Sequence, residues 1–267
     1  MPSGVKPHLF GISLGRGLRP WVGRITPTRE ESTTLPGLSV GLERLAKLIL
    51  VADYAICNDG HMPGEKVVCK FGHKLIDLMT VAETFSAKHN LELEYVRPTS
   101  AISTKIIRCL DAFADARRGR YANFGSLDNP NLSREEPIRK WWDVVAQAIL
   151  QDHYYDKPVQ RRVEARARLV DKMMSPFAIV RHTNEAGKMM EDVLSASIRT
   201  GQTEIVQRYG RYHTLTIVRW LSEIFSNLAN SACYKHGIDA FFGAWEYLET
   251  YRVDDSFLKS RKVWPLR

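Results

Sequence analysis

Residues Arg208-Tyr209-Gly210-Arg211-Tyr212-His213 place two guanidinium groups, two phenol rings and an imidazole in one short stretch. An arginine fixes a phosphate through paired N–H donors and stabilises negative charge developing on it. A histidine titrating near neutrality moves the proton of a hydroxyl or a leaving group. Arg208 and His213 are therefore a candidate catalytic pair for phosphodiester cleavage without a metal, with Arg211 on the backbone and Tyr212 stacking on a base. Five positions along a regular helix amount to roughly 140° of rotation. The pair converges only if Gly210 distorts the turn between them, and an arginine-rich chain also produces such pairs by composition alone.

Three further groups carry charge in a pattern. Arg117-Arg118-Gly119-Arg120-Tyr121-Ala122-Asn123-Phe124-Gly125 is poor material for a helix interior, because glycine disfavours helix. It reads as a loop or helix end presenting Arg117, Arg118, Arg120 and Tyr121 to phosphates and bases. Its plainer reading is a basic helix C-terminus that complements the macrodipole and stops at Gly119. The stretch with Arg161, Arg162, Arg166, Arg168 and Lys172 puts Arg161, Arg168 and Lys172 near one helix face. That is a phosphate-tracking surface or an ordinary solvated face. His73 and Asp77 stand four apart, the spacing of helix neighbours. Such a pair tunes a general base or makes a plain surface hydrogen bond.

No metal or cofactor is expected. The eight histidines show no HExxH or similar ligand spacing, and the chain has no phosphate-binding loop, dinucleotide fingerprint or nucleophile elbow. Cys57, Cys69, Cys109 and Cys233 form no CxxC pair, which suggests reduced cysteines in a cytoplasmic protein. No membrane partner is expected either, since neither a signal peptide nor a long apolar run is found. Lys and Arg number 38 against 30 Asp and Glu, a formal charge of +8. That excess favours a polyanionic partner such as RNA, DNA or an acidic protein, without naming one.

The elements that must position these groups are helical. The expected fold class is all-α, a bundle of about seven or eight helices in residues 38–252, with an irregular arm over 1–37 and a tail over 253–267. Leu42, Leu45, Ile49 and Ile56 form an apolar stripe closed by Asn58-Asp59-Gly60. One helix is expected from about Pro63 to Asn90, and another after Pro98 with Thr99 or Ser100 as N-cap. Ser133 to Glu136 is a capping box ahead of a Trp141-Trp142 helix. Lys157 to Lys172 is a basic helix broken at Ser175-Pro176. Thr183 or Asn184 caps a segment through Met189, Met190 and Val193, and Thr203 opens the most apolar helix. An aromatic helix spans Ala240 to Tyr251.

Gly72, His73, Leu75 and Leu78, followed one helix later by Arg120 and Tyr121, resemble the helix and turn of the HEPN superfamily of compact helical domains. That superfamily includes RNA-cleaving toxins, antiviral nucleases and nucleotidyltransferase partners. Arg208 and His213 are similar to its catalytic Arg and His on a late helix, although Tyr209 and Ala122 stand where the pattern usually has a polar residue and a proline. The resemblance, over residues 40–230 at most, implies a metal-independent endoribonuclease, a homodimer with a composite site, and an antitoxin or partner subunit. The competing expectations are a non-catalytic nucleic-acid-binding module and a protein-interaction scaffold built on the aromatic segment and Trp264.

Overall fold

The computed structural model describes residues 27–114, 137–178, 180, 182–183 and 189–261. Arg117, Arg118, Arg120, Tyr121, the capping box and Trp264 lie outside them. Nine α-helices are found among the described residues, with a single antiparallel pair of two-residue strands. The all-α expectation holds.

Helix α1 runs from Pro27 to Cys57, beginning upstream of Leu38, the expected start of helical periodicity, and within the segment expected as an irregular arm. Its stripe Leu38, Leu42, Leu45 and Ile49 is fully buried. The single helix expected from Pro63 to Asn90 is two: α2 (Glu65–Lys70) and α3 (Leu75–Lys88). Gly72 sits between them at φ +73°, a left-handed conformation that glycine adopts at no steric cost. Helix α4 (Ala101–Ala114) follows Ser100, whose Oγ accepts the Ser103 N–H at 3.1 Å as an N-cap does.

Helix α5 (Pro137–Lys140) passes into a π-helical stretch, Trp141–Ala146, and then α6 (Gln147–His153). Both consecutive tryptophans are buried there. Helix α7 (Pro158–Met174) has proline in its first turn. Strands β1 (His182–Thr183) and β2 (Met189–Met190) pair in antiparallel register, Thr183 opposite Met189.

Helix α8 (Val193–Tyr234) is the axis of the fold. The cap expected at Thr183 or Asn184 and the later start at Thr203 give way to one helix, opened by Asp192, whose carboxylate accepts the Ser195 N–H at 2.6 Å. At 1.5 Å per residue α8 is about 60 Å long. Every residue from Thr214 to Ser226 is buried, the pattern of a helix surrounded on all sides. Glu223, 2% exposed, accepts the Glu94 and Tyr95 N–H groups at 2.7 Å each and ties their loop to the core.

The aromatic helix expected over Ala240–Tyr251 is instead three 3₁₀ turns, Asp239–Phe241, Ala244–Tyr247 and Glu249–Tyr251. Helix α9 (Asp255–Ser260) lies in the segment set apart as a tail, yet Leu258 is fully buried and Arg219 donates to the Val253 carbonyl at 2.7 Å.

Candidate functional site

Midway along α8, Tyr209, Arg211, Tyr212 and His213 meet the end of α6, the start of α4 and α9. The His153 ring lies flat on Tyr209, with centroids 3.6 Å apart and planes within 1°. The His213 centroid is 6.2 Å from His153 and 5.0 Å from Tyr212. His213 Nδ1 is 3.5 Å from Ser103 Oγ, a long contact, and Ser100 Oγ donates to that same oxygen at 2.8 Å. Nε2 of His213 is buried and has no hydrogen-bond partner among the described residues. Burial first, then the neighbouring His153, pushes the His213 pKa down to about 4. Burial lowers His153 as well. Both rings are neutral at pH 7.

Tyr212 donates to Asp255 Oδ2 at 2.6 Å, and the Lys259 ammonium lies 4.7 Å from the centre of its ring. Burial and that hydrogen bond push the Tyr212 phenol up to about 12. Arg219 holds the other carboxylate oxygen at 2.8 Å. The Tyr212 bond and then Arg219 keep Asp255 below the usual carboxylate range. Tyr212 is therefore tied into a hydrogen-bonded set rather than held free for stacking.

Arg208 is exposed, its guanidinium 5.6 Å from the centre of the Tyr209 ring. Arg211 is only 6% exposed, and its Nε has no hydrogen-bond partner among the described residues. No carboxylate among the described residues pairs with it. Burial and then Arg208 lower its pKa. A guanidinium buried without a counter-ion is unfavourable by itself. The exposed guanidinium of Arg208 adds a second positive charge that acts on Arg211, so negative charge is favoured at this place.

The structure therefore brings Arg208 and Arg211 together and seats His213 among His153, Tyr212 and Ser103. It does not bring Arg208 to His213. Gly210 is buried within a continuous helix, so the offset of roughly 140° between their positions persists. On α7, Arg161, Arg162, Arg166, Arg168 and Lys172 are all exposed. Glu164, at 3.6 Å from Arg168, and Asp171 stand at the margin of that face. His73 precedes α3 rather than lying within it, and contacts Glu43 Oε1 at 2.8 Å, a partner other than the expected Asp77.

Sequence reasoning missed His153, Ser103 and Asp255, because each reaches α8 from a distant part of the chain. It also missed a second cluster, in which Asp53, Cys57 and His89 offer ligand atoms that all lie within 4.8 Å of one another. The Asp53–Cys57 separation of four positions was the available signal. Among the described residues, no helix is long and apolar enough to cross a membrane.

No protein-family model, curated protein or solved structure matches the chain. The functional reading rests on the site itself.

Proposed function

We propose that this chain is a helical nucleic-acid-binding module that holds backbone phosphates on Arg208 and Arg211 and tracks further phosphates along the outer face of α7. Arg211 carries the reading: a residue 6% exposed, with no carboxylate paired to it among the described residues and a second arginine as its charged neighbour. Such a group destabilises the free protein, and a phosphate would relieve it. On α7 the exposed cations outnumber Glu164 and Asp171, which gives a polyanion somewhere to continue. Single-stranded RNA is the ligand class, with the Tyr209 ring as an adjoining aromatic surface. The test is a direct titration of labelled single-stranded RNA at several salt concentrations. Affinity should fall steeply as salt rises; binding that is absent, or insensitive to salt, contradicts the reading.

A second reading keeps Arg208 and His213 as the catalytic pair of a HEPN-like, metal-independent endoribonuclease of a toxin or antiviral system, with a homodimer and an antitoxin or other partner subunit. The unpartnered His213 Nε2 favours it, since a substrate hydroxyl would supply the missing partner. A histidine titrating at about 4 is a weak base near neutrality, and α8 would have to rearrange at Gly210 to turn the two groups together. Incubation with labelled RNA in excess EDTA, beside His213→Ala, decides between the readings. Cleavage by the wild type alone supports catalysis; RNA bound but uncut supports the module.

A further inference from the structure

Far from the α8 cluster, three donors of different chemistry converge where α1 meets the end of α3. Asp53 and Cys57 are four apart on α1 and so project from one helical face. Asp53 is 8% exposed, whereas Cys57 is open to solvent. His89 caps the C-terminus of α3, and its Nε2 comes within 2.7 Å of Asp53 Oδ1. Cys57 Sγ is 3.9 Å from that same oxygen.

A cation already sits where they converge. The Lys88 ammonium donates to Asp53 Oδ1 at 2.6 Å and to Cys57 Sγ at 3.1 Å. Its side chain is 46% exposed, so it can swing into water without disturbing the core.

We propose that Asp53, Cys57 and His89 form a binding site for one zinc ion, for which the Lys88 ammonium competes. Tetrahedral zinc takes sulfur at about 2.3 Å and nitrogen or oxygen at about 2.0 Å, so neighbouring donors lie roughly 3.3–3.5 Å apart. The separations from Asp53 Oδ1, 2.7 Å to His89 Nε2 and 3.9 Å to Cys57 Sγ, bracket that range, on side chains at two helix ends. Carboxylate, imidazole and thiolate are all accepted zinc ligands. On binding, the Cys57 S–H bond breaks as the Zn–S bond forms, and its proton goes to solvent. His89 coordinates through Nε2: the proton by which Nε2 donates to Asp53 Oδ1 goes to solvent as the Zn–N bond forms, and the neutral ring then carries its one proton on Nδ1. A dication held by one carboxylate and one thiolate is charge-neutral, which removes the reason for Lys88 to stay. Three protein ligands leave a fourth position for water or a ligand, the arrangement of an open zinc site rather than a closed structural one.

The experiment is zinc binding to the purified full chain at neutral pH, read by competition with a chromophoric chelator. Cobalt substitution adds a spectroscopic check for thiolate coordination. The expected result is one zinc per chain at micromolar affinity or tighter, weakened at least tenfold in Cys57→Ala and in His89→Ala. The other exposed thiol gives a control, since Cys69→Ala should leave affinity unchanged. Lys88→Ala should bind zinc at least threefold more tightly. These substitutions change exposed or helix-end side chains, which keeps the test independent of the buried Asp53. No zinc binding by the wild type, or wild-type affinity and an intact thiolate–cobalt band in Cys57→Ala, would overturn the site. A Lys88→Ala protein that binds zinc no more tightly would overturn the competition.

Discussion

His213→Phe gives the sharpest view of how α8 holds its polar groups. The histidine ring titrates at about 4 in the folded chain against an ordinary value of 6.5. Between those values the unfolded chain binds the proton and the folded chain does not. Stability is therefore fully present above about pH 6.5 and is lost progressively as pH falls toward 4. A shift of this size corresponds to an upper limit of roughly 3 kcal/mol, and about half that after allowing for solvent at the ring edge. For a chain of this size, that corresponds to a Tm lowered by roughly 3–10 °C across the window. The charged and titratable groups around the ring are His153, Asp152, Lys259 and Asp255. His153 adds a smaller slope of the same sign. Phenylalanine keeps the ring contact with Tyr212, removes the partnerless Nε2 and cannot protonate. Thermal melts from pH 8 to pH 4 should show the variant as stable as the wild type at pH 8 and distinctly less acid-sensitive. Parallel melting profiles for the two proteins would refute the linkage to His213.

Gly201 lies where α7 packs on α8, and a Cβ there would clash with Val163 Cγ1. Gly201→Ala should destabilise the fold by about 1–3 kcal/mol despite its better helix propensity. Adding Val163→Ala should recover most of that loss in denaturant melts. Glu223→Ala removes the acceptor of two loop N–H groups and should cost roughly 3 kcal/mol, with faster hydrogen exchange at Glu94 and Tyr95 as its local sign. On α7, replacing Arg161, Arg168 and Lys172 together by alanine removes three candidate phosphate contacts. The slope of log affinity against log salt should become shallower by about 2, with a loss of roughly a hundredfold near 0.1 M salt. An unchanged slope would place the RNA elsewhere.

Local signals were the legible part of this chain. The apolar stripe of α1 and its stop at Asn58-Asp59-Gly60, the Ser100 cap and the limits of α7 all follow from residues adjacent in sequence. Gly72 breaks a segment whose apolar spacing on either side matches one continuous helix, so the period alone hides the break. Met189, Met190 and Val193 fit a helical stripe equally well, yet Asp192 starts the helix and the methionines pair as a strand. The spacing of Phe241, Trp245 and Tyr247 satisfies 3₁₀ turns as readily as an α-helix. At the candidate site, the sequence showed an Arg–His pair and its awkward angle. It could not show that Arg211 is buried without a counter-ion, or that His153 and Ser103 arrive beside His213, because those facts depend on contacts across the whole fold.

Arg211→Met tests the central claim most directly. The substitution fills a similar volume and removes a buried, unpaired charge, so stability should stay the same or rise by roughly 1 kcal/mol or more. RNA affinity measured at constant salt on this variant should fall at least tenfold. Wild-type affinity in a folded Arg211→Met protein would contradict the account.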